Sequence, residues 1–129
     1  PLTLTITGNL TNRAGGGIED NSGTSTIILT DVNLDSNSVA SAPGNGGGLH
    51  ITGGGSAAIM GGTVNGNSAS REGGGLWNGG GLMTVTNTEV NNNIALGAAA
   101  NDGGAGIFNN GGDFNLLYLL VHSSCGYRS

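Results

Sequence analysis

A glycine triplet that returns at a nearly constant interval is the feature that most restricts what this chain can fold into. GGGI ends at Ile18, GGGL at Leu49, GGGL again at Leu76 and the variant GAGI at Ile107, giving spacings of 31, 27 and 31 residues. Periods of about 20–50 residues denote stacked repeats, in which one unit cannot bury its apolar side without a neighbour. A second marker keeps the same register. Asn37, Asn67 and Asn93 each stand eight residues after an apolar residue (Leu29, Ile59, Val85) and three after another (Leu34, Val64, Val90). Asn12, eight residues after Leu4, is expected to open this series.

The stretch from Gly46 to Gly75 shows one unit complete. It divides into a strand after the glycines (Leu49 to Ile51), a glycine turn, a second strand (Ala57 to Met60), a third (Thr63 to Asn65) and a polar return to the next triplet. Short strands alternate their side chains, so Ile18, Leu49, Leu76 and Ile107 are expected to stack inward at about 4.8 Å per coil. The chain is therefore expected to be an all-β, parallel single-stranded solenoid of about four coils with three short strands in each. Glycine suits the corners because it accepts positive φ, and the asparagines form a ladder that bonds coil to coil. Insertions fall in one place, at Ser38 to Asn45, Ser68 to Glu72 and Ile94 to Asp102. Stacking brings those variable loops to one side of the solenoid, where loops most often carry function.

Composition narrows the partners. With 129 residues the chain fits one domain, and its 28 glycines are ordered by the repeat rather than scattered as in a disordered segment. It has no lysine, only Arg13, Arg71 and Arg128, and a formal charge of -5, so there is no basic patch for nucleic acid. A phosphate-cradling loop of the Gly-Lys-Ser/Thr kind is excluded by the same absence. Cys125 is the only cysteine, which rules out an internal disulfide and a CxxC metal site. The acids Glu19, Asp20, Asp31, Asp35 and Asp113 are scattered and the calcium-winding nonapeptide is missing, so neither metal nor cofactor is expected. No charged-then-apolar leader and no apolar run long enough for a membrane span is seen.

The two ends depart from the pattern. PLTLTITG starts in mid-coil, and Pro1 as first residue suggests a piece of a longer solenoid. Leu116 and Val121 still fall on the Leu29 and Leu34 columns, but LLYLLV is apolar on both faces and HSSCGYRS matches nothing in the repeat. We therefore divide the chain into a solenoid over 1–121 and an irregular tail over 122–129. Open solenoid ends are unpaired strand edges. Homo-oligomerisation through those ends, or through the 116–121 stretch, is expected.

The repeated pattern of an apolar strand, then NSVA, NSAS or NNIA, then GGGL or GAGI resembles the right-handed parallel β-helix repeats of large bacterial surface and secreted proteins, a superfamily with the pectate-lyase-like fold. The resemblance implies a right-handed coil and an extracellular or cell-surface location. Its motifs are structural, and the superfamily includes lyases, glycoside hydrolases, esterases, adhesins and autotransporter passengers, so it transfers no catalytic residue. No aspartate cluster of the lyase kind is present.

The position just after the inward Ile or Leu of the first strand reads Glu19, His50, Trp77, Phe108. Alternation turns it outward, so neighbouring coils present an acid, an imidazole and two aromatic rings in a row, flanked by loops bearing Arg71, Glu72 and Asp102. Ring faces edged by polar groups suit a carbohydrate or protein ligand, and the expected ligand-binding residues are Trp77, Phe108, His50, Glu19 and Arg71. The bland alternative is a ladder that only stabilises its own strands or an oligomer interface. Catalysis is the rival reading, with Glu19 orienting His50 as an acid/base pair, or with Glu72 and Asp102, one slot before successive triplets, as paired carboxylates of a glycoside hydrolase. An ester hydrolase needs a nucleophile, and no GxSxG elbow occurs. The leading expectation is a non-catalytic binding module; a hydrolase on the same face and a structural spacer are the alternatives.

Overall fold

The computed structural model describes residues 4–11, 13–117, 120–122 and 125–126. β1 (Leu4–Thr7) and β2 (Leu10–Thr11) precede the first triplet. The next coil carries β3 (Ile18–Asp20), β4 (Thr26–Thr30), β5 (Val32–Asp35) and β6 (Ser38–Val39). It is followed by β7 (Leu49–Ile51), β8 (Ser56–Met60), β9 (Thr63–Asn65) and β10 (Ser68–Ala69), then by β11 (Leu76–Asn78), β12 (Leu82–Thr86), β13 (Glu89–Asn91) and β14 (Ile94–Ala95). The last coil has β15 (Ile107–Asn109), β16 (Asp113–Leu117), β17 (Leu120–His122) and β18 (Cys125–Gly126).

Equivalent strands stack in parallel into four sheets, in the orders β3-β7-β11-β15, β4-β8-β12-β16, β1-β5-β9-β13-β17 and β2-β6-β10-β14-β18. The chain is a parallel β-solenoid of about four coils, with no helix among the described residues. Each coil has four strands where the sequence suggested three. The fourth is two residues long and lies at the start of the segment read as a loop, too short to show alternation. It forms because Val39, Ala69 and Ala95 turn inward and are buried. Backbone pairing continues past residue 121, where Cys125 and Gly126 lie beside Ile94 and Ala95.

The register follows the repeat. Ile18, Leu49, Leu76 and Ile107 form one inward column, Leu29, Ile59, Val85 and Leu116 a second, and Leu34, Val64, Val90 and Val121 a third. The inner members make the core, with Leu49, Leu76, Val85 and Val90 fully buried. Ile18, Ile27, Leu29, Ile107 and Phe114 in the outer coils are covered on one side only and remain partly exposed.

The asparagine ladder forms as expected and has a direction. The Asn67 carboxamide oxygen accepts from the backbone N–H (2.9 Å) and Nδ2 (3.2 Å) of Asn37, and the Asn93 oxygen accepts from the same two groups of Asn67 (3.0 and 3.0 Å). Each Nδ2 donates also to a carbonyl of the coil before, at Ile6, Leu34 and Val64. The residue that opens the ladder is Asn9, not Asn12: Asn9 donates its N–H and Nδ2 to the Asn37 oxygen at 3.2 and 3.0 Å. The first turn is shorter than the others, so the three-residue spacing from the inward Ile6 sets the register, and the longer spacing from Leu4 misleads. Asn12 itself lies outside the described residues.

The three glycines of a triplet serve two purposes. The first, Gly15, Gly46, Gly73 or Gly104, has φ of 61°, 67°, 62° or 64° and turns the chain sharply against the outward residue of the following strand. A Cβ on Gly46 would stand 2.8 Å from His50 Cβ, and one on Gly73 3.0 Å from Trp77 Cβ. The second and third are required by the next coil. A Cβ on Gly16, Gly47 or Gly74 would overlap the carbonyl oxygen of Gly47, Gly74 or Ala105, and one on Gly48 would lie 2.7 Å from the Gly75 oxygen. These obstacles are backbone atoms that cannot give way.

Asn67→Ala is therefore expected to cost about 3 kcal/mol or more in urea unfolding, because it strands buried donors and acceptors on two coils, while Asn9→Ala at the exposed end costs less than about 1 kcal/mol. Gly47→Ala is expected to cost as much as Asn67→Ala by overpacking against backbone.

Candidate functional site

The first-strand sheet sets Glu19 beside His50, His50 beside Trp77 and Trp77 beside Phe108 in unbroken register. Parallel in-register stacking brings the flat groups face to face. The His50 and Trp77 ring centroids are 4.3 Å apart with planes at 21°, and those of Trp77 and Phe108 are 6.3 Å apart at 10°. Such stacks add about 0.5–1.5 kcal/mol each beyond area burial.

The row points away from the core, but its middle is not open to solvent. His50 is 5% exposed and Trp77 7%, while Glu19 and Phe108 at the ends are half-buried. The cause is the corner: each triplet's first glycine folds the incoming chain over the base of the outward side chain, so the strand has structure on both faces. Alternation alone marks a side, not its exposure. The faces of the Trp77 ring lie against its neighbours, and Phe108, on the edge strand β15, is the aromatic whose outer face has no stacked ring.

Two polar networks flank the row. At one end Arg13 Nε donates to Glu19 Oε1 at 2.8 Å and its Nη2 to Asn21 Oδ1 at 3.1 Å; Thr52 Oγ1 also donates to that oxygen at 3.2 Å and stands 3.4 Å from His50 Nδ1. At the other end Trp77 Nε1 donates to Glu72 Oε2 at 2.9 Å, and Arg71 Nε donates to Asp102 Oδ1 at 2.8 Å with Glu72 Oε1 3.8 Å away. Asp102 Oδ2 accepts the Ala99 N–H at 3.0 Å, which ties down the longest loop.

Arg13, Asn21 and Thr52 were not singled out from the sequence. A signal for Arg13 existed, since RAGGG and REGGG place Arg13 and Arg71 alike, two residues before a triplet. Nothing comparable marks Asn21 or Thr52. The slot assigned to the paired carboxylates also needs correction. Bridges align Ala14, Asn45 and Glu72, and the bond from Gly73 N to Gly103 O places Gly103 next in that row. Asp102 falls one residue earlier, against Arg71, because the last corner has an additional glycine in Gly103-Gly104-Ala105-Gly106. Glu72 and Asp102 thus share Arg71 rather than a slot.

Burial pushes the His50 imidazole below its usual pKa of 6.5, and the Arg13 charge adds to this, against an opposing pull from Glu19. The Arg71 hydrogen bond holds the Asp102 carboxyl low, with the Ala99 amide assisting, and the same bond raises Arg71. Asp20, outside the row, is held low chiefly by the Ser25 hydroxyl. Among the described residues there is no cavity beside the row and no group of three or more His, Cys, Asp or Glu side chains placed to hold a metal ion. The expectations for the side chains of 118–129, including the apolar 116–121 stretch beyond Leu117, lie outside what the structure describes.

Fold and site together define a glycine-cornered parallel β-solenoid with a stacked His-Trp-Phe row on its first sheet. Comparison with family models, with curated proteins and with solved structures found no match for this chain.

The lowered His50 pKa fixes a pH dependence. The unfolded chain binds the proton more readily than the native one, so the stabilisation is complete above about pH 6.5 and is lost as pH falls through the native pKa. Thermal unfolding midpoints should therefore drop between pH 7.5 and 5.5 in the native protein. His50→Phe, which keeps a ring in the stack and removes the titration, should flatten that segment.

Proposed function

We propose that this chain is a non-catalytic binding module of a secreted or cell-surface protein, built as a right-handed β-helix of the pectate-lyase-like type, and that it engages a carbohydrate or protein ligand on its first-sheet face. The observation that supports this reading is the preorganised row: side chains locked by stacking and by two ion-paired networks lose little freedom when a ligand arrives. The exposed members are the contact groups. Phe108 offers a free ring face, Arg71 and Arg13 retain N–H donors beyond their ion pairs, and Glu19 offers its half-buried carboxylate. Trp77 and His50 act from behind, as the rigid backing of the row.

The same bonds weigh against the hydrolase alternative. Glu19 is engaged by Arg13, Asp102 by Arg71 and Ala99, and Glu72 by Trp77, so each candidate acid or base already serves a structural contact. Homo-oligomerisation through the apolar 116–121 stretch stays part of the proposal as a means of multiplying weak sites.

Binding to a glycan and peptide array tests the reading. Phe108→Ala and Arg71→Ala are expected to lower retention about tenfold each while leaving the unfolding midpoint within a few degrees, because both side chains are partly exposed. Retention unchanged in both variants would remove the face from consideration. Turnover of model glycosides or esters that disappears in His50→Ala would replace binding by hydrolysis.

A further inference from the structure

The solenoid is not a whole number of coils, and the missing part defines a surface. β1 and β2 lie beneath β5 and β6, but nothing lies beneath β3, β4 and the corner that leads into them. The result is a notch half a coil wide, walled by β1 and β2 and floored by the outer edge of residues 14–30. Its floor is apolar where the inner coils are sealed. Ile18, Ile27 and Leu29 are partly exposed, whereas Leu49, Met83 and Val85 in the same columns are fully buried.

We propose that this notch is a docking surface for a glycine-cornered β-arc of the same repeat type, a corner followed by a strand of about three and a strand of about five residues, presented by a partner polypeptide. The occupant's chemistry follows from the contacts between the inner coils, of which the notch is one half. Pairing with β3 and β4 supplies parallel backbone bonds, as at every other level of these two sheets. The corner carbonyls of residues 16 and 17 then face the occupant's corner, and the inner coils show what they accept there. A Cβ on Gly47 or Gly48 would meet the carbonyl of the coil that follows, so the occupant must bring glycine at both positions.

A second copy of this chain does not meet that demand. Its last coil is the one that would seat on the notch, and that coil carries Ala105 where the other three have Gly16, Gly47 and Gly74. The Ala105 methyl would overlap the Gly16 carbonyl as a Cβ on Gly74 overlaps the Ala105 carbonyl. Its β17 and β18 would also fall where β1 and β2 already stand, since both pairs belong to the same two sheets. The notch is selective against self-stacking.

A fused occupant tests this. A copy of residues 45–58 placed directly ahead of Pro1 keeps the native spacing, because Ala58 of the copy then precedes Leu4 as Ile28 precedes Val32. We expect the thermal midpoint to rise by about 5 °C or more and amide exchange at Ile18–Asp20 and Thr26–Thr30 to slow at least tenfold. The same graft carrying Gly47→Ala and Gly48→Ala should give neither change. No rise with the glycine graft, or an equal rise with the alanine graft, overturns the proposal. If the grafts shift the midpoint through unrelated contacts, slowed exchange outside β3 and β4 reports it and also overturns the proposal.

Discussion

Close approach of successive coils along the backbone is the constraint from which the rest of this structure follows. Neighbouring turns meet through amide-to-carbonyl bonds not only in the strands but also around the corner, where Gly46, Gly47 and Gly48 donate to Glu72, Gly73 and Gly75. A side chain at the second or third glycine would push the turns apart, so the triplets are a steric condition of stacking. The first glycine has a different burden, a left-handed turn. By making it, the chain lays its loop over the outward face of the next strand, and this is what buries His50 and Trp77.

Low charge and poor regular alternation are compensated by ladders. The core is narrow, a few columns of Leu, Ile, Val and Met, and the asparagine ladder lines one of its corners without leaving its amides unpaired. A second, incomplete ladder shows how strict the arrangement is. Asn78 donates to Asn109 at 2.8 Å and to the Gly81 and Asp113 carbonyls, yet its own oxygen is buried without a partner. The residue beneath it is Ile51, which has no donor in its side chain. A ladder works only when every rung carries the amide.

Most of the fold was legible because the repeat has several independent markers, and agreement between glycine and asparagine spacings left little freedom of register. What escaped were local matters that the repeat cannot encode. The two-residue fourth strands are shorter than any periodic signal. Asn12 was preferred to Asn9 because the first turn breaks the longer spacing. Asp102 was misplaced by a single additional glycine. For the site, the sequence indexed Glu19, His50, Trp77 and Phe108 to one row correctly, since row membership depends on register alone. It could not show that the row is half closed, because burial there comes from the loop's path, and that path depends on the backbone angle of Gly46 and Gly73.

The asparagine ladder also gives the molecule an electrical sense. From Asn9 to Asn93 every Nδ2 points toward the coil that follows and every Oδ1 toward the coil before, so the side-chain amide dipoles add along the solenoid axis instead of cancelling. The negative end of this row is at Asn9, which is opposite in sense to the macrodipole of an α-helix read from its own N-terminus. A cationic group is thus favoured at the first coil of the ladder and an anionic one beyond its last.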